Sequence, residues 1–591
     1  MAKHTLVFVL FYSLIGLVVG HYSRHCKAFP GDHDWPSQQA WHGLNVTVQG
    51  RLLAPSPPGA VCHRDRPTFN PEQCPRVQKA WTTFEFHAKD PLSVVWNQWT
   101  GFDCLPDPST TCTGRGYPAY VVDASGTEDV KMAVDFARKH NVRLVVKNTG
   151  YDFLGRSTAP AALSIRTINM KTIRLHAKGC FKLSSGRTFS GTAITVGAGT
   201  LTVDIYRALD EHGQTFIGAM GPTVGITGFL SGGGHSNLSG RYGLGADAVL
   251  EMEVVTPGGE VLTVNEDRHS DLFWALRGGG GSTFGVVTKI TMSTFPTPQV
   301  LGVQWIAGID ASDAQATDLA PALMSKLPEA IDAGLLGWNA VMNKMHNPIP
   351  APGALQGNIS GLWGVSAILD TTSPSEANRI LKPLSDILQR PEWKGKARLW
   401  LKTKSFPSYL AYVNGVYAPR PGGYGWWEVS RMLDRKALSG DTEALANALR
   451  AVSSDRGNLF AMTLAGRGVQ LVRPAGGDNS VNPAWRSAYA LGMTSLTFKD
   501  EKASKEIRDF LNTAWQPMRD LTPETGSYID EASITGMPYE KDWQHTFWGS
   551  NYERLLDIKR RVDPDDVLWC SPCVGNERWR QGRDGRLCRI R

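Results

Sequence analysis

The stretch GPTVGITGFLSGGGHSNLSGRYGLGAD, residues 221–247, is the part of this chain that points most directly to a fold. It contains nine glycines, almost no charge and a few small polar side chains. Glycine in that density weakens a helix or strand, but it lets backbone amides approach a ligand because no Cβ intervenes. Clustered amides of this kind bind phosphate oxygens. A flexible linker is the alternative, although apolar residues such as Phe229 and Leu230 are not what a solvated linker needs.

Length and composition indicate a globular protein with at least two domains. The chain has 591 residues, of which 42% are hydrophobic and 20% are charged, and its formal net charge is +7. Arginines crowd the C-terminus from Arg578 onward, but acids and a cysteine interrupt them and they form no basic stripe with stacking aromatics. We therefore expect a solvated tail there and no nucleic-acid partner.

The N-terminus has the pattern of a secretory signal. A short polar start precedes an apolar run from Leu6 to Val19, and small residues stand before a plausible cleavage site at His21. We expect residues 1–20 to be a signal peptide and the mature protein to be secreted, without a membrane anchor. A retained anchor is the alternative, although the run is short for crossing a bilayer.

The nine cysteines suit an oxidising compartment. Their odd number leaves at least one thiol unpaired, and the isolated Cys180 is the candidate. Cys570 and Cys573 have a CxxC spacing that is also used for metal or redox chemistry. In a secreted protein we instead expect each of them to form a disulfide with a separate partner.

Three glycosylation sequons occur in the chain. Those at Asn45 and Asn358 are candidate glycan sites of a secreted glycoprotein. The third, at Asn237, lies inside the glycine-rich stretch, and we expect that side chain to be buried and unmodified.

Regular patterning follows an N-terminal extension over residues 21–113 that contains five of the cysteines. A capping box of Ser125 and Glu128 predicts a helix through His140. Residues 143–148 predict a buried strand that leads into the loop TGYDFLGRS, and residues 249–264 predict a hairpin. From about residue 300 to 535, predicted helices, among them residues 441–452 and 500–514, alternate with aromatic-rich strands, which indicates a second domain placed to cover a ligand.

Common nucleotide and hydrolase motifs are absent from the sequence. There is no GxxxxGK[ST] loop, no GxGxxG after a first strand, no GxSxG elbow and no HExxH pair. Three glycine-rich loops remain, at residues 150–157, 221–247 and 278–285. Three loops that converge on one ligand suit a long cofactor that contains phosphate.

These motifs carry a resemblance to a known family. In order, KNTGYDFLGRS, the glycine-rich stretch and DLFWALRGGGGSTFGVVT resemble the FAD-binding domain of FAD-linked oxidoreductases of the vanillyl-alcohol-oxidase or p-cresol-methylhydroxylase (PCMH) type. WQHTFWGSNYERLLDIKRRVDPDDVLW is similar to the C-terminal signature of the berberine-bridge-like branch, which has secreted fungal members. The match covers residues 115–297 and resumes at residue 543.

The resemblance implies an α+β fold in two domains. Residues 114–297 would form a PCMH-type FAD-binding domain, and residues 298–535 would form a substrate domain with a large antiparallel sheet flanked by helices. Residues 536–591 would return to the FAD-binding domain.

The resemblance also implies which residues bind FAD. The loop 148–157 would give backbone amides to the diphosphate, the glycine-rich stretch would line the ribityl chain and diphosphate, and residues 285–287 would contact the adenine end. For any one of these residues, the alternative is that it packs in the core or forms a turn. The residues are Asn148, Thr149, Gly150, Tyr151, Gly155, Ser157, Pro222, Thr223, Val224, Gly225, Gly228, Gly232, Gly234, His235, Asn237, Gly285, Val286 and Val287.

The chain departs from the family at both flavin-attachment positions. The branch usually has a histidine where Tyr151 stands, and doubly linked members have a cysteine where Gly221 stands. We therefore expect FAD to bind non-covalently, with a tyrosyl link through Tyr151 as the alternative. Loss of covalent links is expected to lower the reduction potential of the flavin. No metal is expected.

The segment SYIDEAS, residues 527–533, lies where the family places a tyrosine and polar residues over the flavin. Tyr528 is the candidate group that takes the substrate's proton, with Asp530 and Glu531 as helpers. On a strand, Tyr528 and Asp530 would share one face and Glu531 the other. Tyr242 and Trp426 are candidate pocket residues, and packing in the sheet is the alternative for each residue.

The function expected from these observations is oxidation of a small organic molecule. Hydride transfer to N5 of FAD and reoxidation by O2 are expected, with an alcohol, a saccharide or a secondary-metabolite intermediate as substrate. The alternative is a cyclase of secondary metabolism on the same scaffold, with the flavin structural or absent. A carbohydrate-binding or structural protein is a third hypothesis, but it leaves the three glycine-rich loops without a role.

Overall fold

A computed structural model describes residues 25–349, 351–453, 459–532 and 542–590 of the chain. The predicted signal peptide and Ser533 lie outside the described residues. The described chain is a mixed helix and sheet structure, which confirms the predicted α+β class.

Two sheets form the framework of the first domain. In the smaller sheet, three parallel strands are joined by an antiparallel strand from the N-terminal extension. The strands, in spatial order, are Leu52–Leu53, Tyr120–Asp123, Leu163–Arg166 and Leu144–Lys147. The larger sheet is antiparallel, and its strands in spatial order are Val261–Asn265, Val249–Val255, Val286–Ser293, Ala193–Gly197 and Ile173–His176.

The helices of this part of the chain are short, apart from one of 14 residues that packs on the parallel strands. They are Gln38–Thr47, Cys74–Ala80, Phe84–Lys89, Thr127–His140, Thr202–Asp210, Ile226–Gly232, Ser239–Tyr242 and Ser270–Leu276. Two-stranded pairs join Phe181–Lys182 to Thr188–Phe189 and Gln214–Thr215 to Phe295–Pro296.

The predicted capping box at Ser125 is wrong. The helix begins at Thr127 after Gly126, and Ser125 instead donates from both its amide and its hydroxyl to Oδ2 of Asp129, at 2.8 and 2.9 Å. Asp129 also receives a bond from Arg51 of the extension, so its carboxylate is satisfied by two partners outside the helix. The helix ends at His140 as predicted, where Asn141 adopts a left-handed conformation.

A seven-stranded antiparallel sheet forms the second domain, in agreement with the prediction. Its strands in spatial order are Arg398–Phe406, Val300–Asp310, Asn358–Leu369, Leu336–His346, Phe460–Leu464, Ala488–Phe498 and Gly425–Asp434. The helices that flank it are Ala316–Met324, Leu327–Asp332, Pro374–Ile387, Tyr409–Val416, Arg435–Ser439, Thr442–Val452, Arg467–Leu471, Glu501–Ala514 and Gln516–Leu521. Several begin at aspartates that cap them, since Asp441 and Asp500 accept from amides three residues on, at 2.9 and 2.8 Å.

The C-terminal segment packs back on the first domain. Its helices Trp543–Trp548 and Tyr552–Val562 contribute Phe547, Trp548 and Leu555 to the hydrophobic core that contains the glycine-rich stretch. The final residues form a small hairpin, Trp579–Gln581 with Leu587–Arg589, rather than the predicted solvated tail. Arg578 pairs with Asp566 and Arg586 with Asp32, and the disulfide Cys26–Cys588 joins the hairpin to the N-terminal extension.

Four disulfides join cysteines of the described chain: Cys26–Cys588, Cys62–Cys74, Cys104–Cys112 and Cys570–Cys573. The expectation of separate partners for Cys570 and Cys573 is therefore wrong, because they are bonded to each other. Cys180 is free, as predicted, and its side chain is exposed.

Asn237 is 5% exposed, which confirms the predicted burial of that sequon. Asn358 is exposed at the start of a strand, and Asn45 is half-buried in a helix. None of the helices in the described ranges is both long and apolar enough to cross a bilayer.

Candidate flavin site

The loop that follows the strand Leu144–Lys147 presents a run of unused backbone amides. The amides of residues 148–152 form no hydrogen bond with any other described residue. Gly150 lies at the bend with φ +77°, and a Cβ there would come within 3.0 Å of the Ser93 carbonyl. A row of free amides at a bend of this kind is an anion-binding surface.

Asn148 adds an acceptor to the same loop. Its Nδ2 donates to the Ala198 carbonyl at 2.8 Å, while its buried Oδ1 has no partner among the described residues. A Cβ on Gly225 would lie 2.4 Å from the Asn148 side chain, so the loop and the glycine-rich stretch are in close contact. Ser157 also carries a buried hydroxyl without a partner in the described chain. Buried polar atoms normally have partners, so these two oxygens are available to a ligand or to ordered water.

Arg156 lies at the candidate site, although no pattern in the sequence indicated it. Its buried guanidinium donates to Oδ1 of Asp152 at 2.5 Å and to Oδ1 of Asp530 at 3.4 Å. Its Nη1 has no partner in the described chain and lies 3.6 Å from where a Cβ on Gly280 would be. It is the arginine inside KNTGYDFLGRS, and only the tertiary structure shows that its side chain is buried between two carboxylates.

The two attachment positions of the family lie close together. The Tyr151 hydroxyl shares a 2.5 Å hydrogen bond with Oγ1 of Thr223, two residues after Gly221. The Tyr151 ring stacks on Phe84 with 4.4 Å between ring centroids. Burial raises the pKa of Tyr151 above its ordinary value of 10, so the phenol stays protonated.

The glycine-rich stretch folds into short helices and turns that face the second domain. The amides of Gly234 and His235 donate to the hydroxyl oxygen of Tyr528 at 3.0 and 3.2 Å. The His235 ring stacks on Trp485, and burial lowers its pKa to about 4, so the imidazole is neutral. Asn237 donates to the sulfur of Met220 at 2.7 Å. Two amides predicted to face a ligand are thus occupied by a side chain of the second domain.

The other predicted residues of the stretch have different surroundings. A Cβ on Gly228 would meet no other atom within 4 Å, whereas a Cβ on Gly232 would lie 2.2 Å from Oδ1 of Asp530. Val224 supplies the carbonyl that accepts from the Thr202 amide at 3.0 Å. Pro222 lies at the half-buried turn beside Gly221.

The third glycine-rich loop, residues 278–285, is hydrogen-bonded to the glycine-rich stretch through one carbonyl. The amides of Gly278 and Gly280 both donate to the Ser231 carbonyl at 3.0 Å. Gly285 packs on Val254, where a Cβ would approach to 2.4 Å, and residues 286 and 287 pair with residues 255 and 254 in the larger sheet. The side chains of Val286 and Val287 are therefore core residues.

The segment 527–532 is a turn and not the predicted strand. The Glu531 amide donates to the Tyr528 carbonyl at 3.1 Å, which closes the turn. Tyr528 and Asp530 still lie together, because the Tyr528 hydroxyl donates to Oδ2 of Asp530 at 3.0 Å. Ser527 and Ser430 share a bond of 2.8 Å, which fixes the turn on the strand Gly425–Asp434.

Three carboxyl groups lie around this turn, of which Glu428 is buried and Asp530 and Glu531 are half-buried. Burial raises the pKa of Asp530 to about 7, with Arg156 acting in the opposite direction. Burial and the neighbouring Glu428 raise the pKa of Glu531 to about 8. Burial also raises the pKa of Glu428 to about 7, with Arg420 opposing. Glu428 was missed in the sequence because it is one polar residue within a strand of aromatics. Perturbed acids of this kind concentrate at functional sites.

Tyr242 and Trp426 occupy different places. Tyr242 is half-buried and stacks on Phe295 with centroids 4.2 Å apart. Trp426 is 9% exposed and lies 5.4 Å from Trp96 in an aromatic cluster that also contains Tyr151. Trp426 thus lies in the same cluster as Tyr151, whereas Tyr242 lies toward the other end of the glycine-rich stretch.

Known proteins match this chain over nearly its whole length. The family described as "FAD binding domain" matches residues 118–265, and "Berberine and berberine like" matches residues 523–574. The bifunctional decalin synthase calF of Penicillium decumbens is 31% identical over 584 residues, covering 96% of each chain. The VAO-type flavoprotein oxidase VAO615 of Thermothelomyces thermophilus is 32% identical over 596 residues, covering 97% of each.

The solved structures agree. The crystal structure of the VAO-type flavoprotein MtVAO615 from Myceliophthora thermophila covers 96% of this chain and 100% of its own, with a TM-score of 0.83 and 30% identity. The amide loop, the glycine-rich stretch and the C-terminal signature therefore sit in a chain that matches such proteins from end to end. The chain belongs to the VAO-type family of FAD-linked oxidoreductases with a berberine-like C-terminal region.

Proposed function

We propose that this protein is an FAD-dependent oxidase of a small organic molecule, either an alcohol or an intermediate of secondary metabolism. The observation that carries the proposal is the loop 148–152, whose five amides have no partner in the described chain. A diphosphate would satisfy them, and the free Oδ1 of Asn148 beside them would accept from a hydroxyl or amino group.

The other two loops contribute in a different way. The amides at Gly234, His235, Gly278 and Gly280 are occupied within the protein, so these residues support the shape of the site. Thr223 and Gly225 face the first loop, and Arg156 adds a buried positive charge between the loops. A positive charge held by two carboxylates adds little net field, so we assign FAD binding chiefly to the amides of residues 148–152.

We propose that the flavin is held without a covalent bond. Tyr151 is protonated and bonded to Thr223, so its oxygen is a poor nucleophile, and Gly221 offers no side chain. The dissociable FAD would then rely on the amides and on shape.

When bound, FAD supplies an acceptor for a hydride from the substrate, and O2 is the proposed final acceptor of the electrons. The residues of the chain would take the proton. The Tyr528 hydroxyl donates a hydrogen bond to Asp530, and burial and the adjacent acids raise the pKa of Tyr528 well above its ordinary value of 10, so the phenol keeps its proton. We therefore assign proton uptake to Asp530 or Glu531, whose pKa values of about 7 and 8 lie near neutral pH, and a positioning role to Tyr528.

The oxidase proposal is tested with the purified protein. Its flavin is reduced with dithionite in the absence of air, O2 is admitted, and the return of flavin absorbance is followed together with hydrogen peroxide. We expect reoxidation within seconds and one peroxide per flavin. A reduced flavin that persists for minutes in air would remove O2 as the acceptor and leave a dehydrogenase.

A cyclase is the second candidate function. The observation that favours it is the 31% identity over 96% of the chain to a protein named a bifunctional decalin synthase. A polyene substrate converted equally well by FAD-free and FAD-loaded protein, without O2 consumption, would support the cyclase over the oxidase.

We also propose that the protein is secreted. Four disulfides in the described chain support an oxidising compartment. Expression with the native N-terminus followed by N-terminal sequencing of the medium protein tests this; a start at His21 is expected, and retention inside the cell would contradict it.

A further inference from the structure

We propose that the hydrogen bond between Tyr151 and Thr223, here called the 151–223 clasp, preorganises the flavin site by fixing its two principal loops to each other. This inference rests on the proposed function, because it concerns how the chain receives FAD. It assigns Tyr151 and Thr223 as positioning residues.

The clasp joins two segments that lie 72 positions apart in sequence. The Tyr151 hydroxyl and Oγ1 of Thr223 are 2.5 Å apart, and Thr223 is 8% exposed. Tyr151 is the fourth of the five residues 148–152 whose amides are free of partners in the described chain. A bond at this position therefore restricts the segment whose amides are proposed to bind the diphosphate.

The Tyr151 end of the clasp is anchored from the N-terminal extension. Phe84 stacks on the Tyr151 ring, and Nε1 of Trp96 donates to the Tyr151 carbonyl at 3.0 Å. The Val95 amide donates to the Gly150 carbonyl at 3.0 Å. These contacts restrict both the backbone and the ring of Tyr151.

The Thr223 end is anchored by the helix that starts at Thr202. Oγ1 of Thr202 donates to the Gly221 carbonyl at 2.9 Å, and the Thr202 amide donates to the Val224 carbonyl at 3.0 Å. The turn 221–224 is thus held on both sides of Thr223. A clasp between two anchored ends loses little conformational entropy when it forms.

The consequence is a site that is set before the cofactor arrives. Ordering a loop on binding reduces affinity, so a loop already held in its binding conformation binds more tightly. Asn148 adds a second connection between the same two segments, since it and Oγ1 of Thr227 both donate to the Ala198 carbonyl, at 2.8 and 2.7 Å. In proteins with a covalently attached flavin, the link itself would restrict the loop. Here the clasp would supply part of that rigidity.

The test is a double-mutant cycle on FAD affinity. Tyr151→Phe, Thr223→Val and the double variant are prepared as apoproteins and titrated with FAD by flavin fluorescence, and each apoprotein is also unfolded thermally. We expect each single variant to raise the Kd by about three- to tenfold, the range for one hydrogen bond. The double variant should bind FAD with about the same Kd as the weaker-binding single variant, because both changes remove the same hydrogen bond.

Two controls separate the clasp from general effects. Thr223→Ser keeps the hydroxyl and should retain a Kd within about twofold of the wild type. Tyr120→Phe removes a phenol whose ring stacks on Trp41 and whose hydroxyl bonds to no other described residue, so it should leave the Kd unchanged.

The outcomes are distinguishable. A wild-type protein that binds no FAD overturns both the clasp and the proposed function. If the wild-type protein binds FAD but the single variants have an unchanged Kd, the clasp alone is overturned. The same holds if the increase in Kd of the double variant equals the product of the two single increases. Lower unfolding temperatures with an unchanged Kd would show a purely structural bond and would also overturn it.

Discussion

The hydroxyl oxygen of Tyr528 accepts a hydrogen bond from the amide of Gly234 at 3.0 Å, although 294 positions separate the two residues in the sequence. The same hydroxyl donates to Asp530, which lies against Gly232. The turn at the end of the second domain therefore fixes the centre of the glycine-rich stretch. It also places the half-buried carboxyl group of Asp530 next to the domain that is proposed to hold FAD.

Restoring the family's residue at position 151 is expected to create a covalent flavin. Tyr151→His puts an imidazole where the clasp now holds a phenol, and a free imidazole is a nucleophile at neutral pH. We expect flavin fluorescence to stay with the protein band after denaturing electrophoresis. Gly221→Cys is a second route, since a Cβ there meets only Cγ2 of Val224 at 3.1 Å.

Tyr120→Phe serves as a control for that experiment, because it changes a tyrosine of the same domain away from the site. A Tyr151→His protein that binds FAD and loses all of it on denaturation would show that residue 151 does not face the reactive edge of the flavin.

Asp530→Asn is expected to slow substrate oxidation. If Asp530 takes the substrate's proton, an amide cannot replace it, and flavin reduction in anaerobic stopped-flow experiments should fall about 10²-fold or more. The Kd for FAD should change little. An unchanged reduction rate would show that Asp530 does not take the proton. Glu531 would then be the candidate, and the reduction rate of the Glu531→Gln variant would test it.

The raised pKa values of Asp530 and Glu531 predict how stability depends on pH. Burial raises the pKa of Asp530 from 3.8 to about 7 and that of Glu531 from 4.5 to about 8, so the folded protein keeps protons that the unfolded chain releases. Their contribution to stability is complete below about pH 4 and is lost as the pH rises to about 8.

Each group contributes a slope of at most about 1.4 kcal/mol per pH unit within that window. Charged neighbours also affect the two pKa values: Arg156 and Asp152 act on Asp530, while Glu428 and Arg420 act on Glu531. Urea unfolding at several pH values should show a flatter profile for Asp530→Asn than for the wild type. Parallel profiles would mean that Asp530 is ionised throughout.

A methyl group on Gly232 should disrupt the contact between the domains. In Gly232→Ala the new Cβ would lie 2.2 Å from Oδ1 of Asp530, so the carboxylate must move away from Tyr528. We expect the free energy of unfolding of the apoprotein to fall by about 1–3 kcal/mol.

Gly228→Ala is the matched control for that variant. Gly228 lies in the same helix and has nothing within 4 Å of a Cβ, so this change should be neutral or stabilising by up to about 1 kcal/mol. Equal destabilisation by both variants would show that loss of glycine in this helix, and not the Asp530 contact, is responsible.

Lys559 joins the C-terminal segment to the third loop. Its buried Nζ donates to Asp563 at 2.6 Å, to the Thr283 carbonyl at 2.8 Å and to the Leu568 carbonyl at 2.7 Å. Lys559→Met would leave the Asp563 carboxylate buried without its cation, which should cost about 3–5 kcal/mol. Thermal unfolding measures this, and the double variant with Asp563→Leu should recover part of the loss; no recovery would point to packing of the lysine stem.

Local patterns in the sequence were sufficient for much of the fold. Asp441 and Asp500 mark helix starts because a short acidic side chain accepts from an amide three residues on. The hairpin after the glycine-rich stretch follows from its alternating apolar residues and its turn. These features depend on neighbours in the chain, and so they were predictable.

The remaining features depend on distant residues. Ser125 binds Asp129 because Arg51, from the extension, holds that carboxylate in place. The amides of Gly234 and His235 are occupied by Tyr528, and the turn at 527–532 follows from its packing on Ser430. Arg156 and Glu428 could not be found from the sequence because only tertiary structure shows that they are buried beside other charges.

The central claim is that the chain binds FAD without a covalent bond, through the loop 148–152. The most direct measurement is the absorbance of the purified protein before and after acid precipitation. We expect a flavin spectrum in the native protein and release of all the colour into the supernatant. Flavin that remains in the pellet, or a purified protein that neither carries nor takes up FAD, would contradict it.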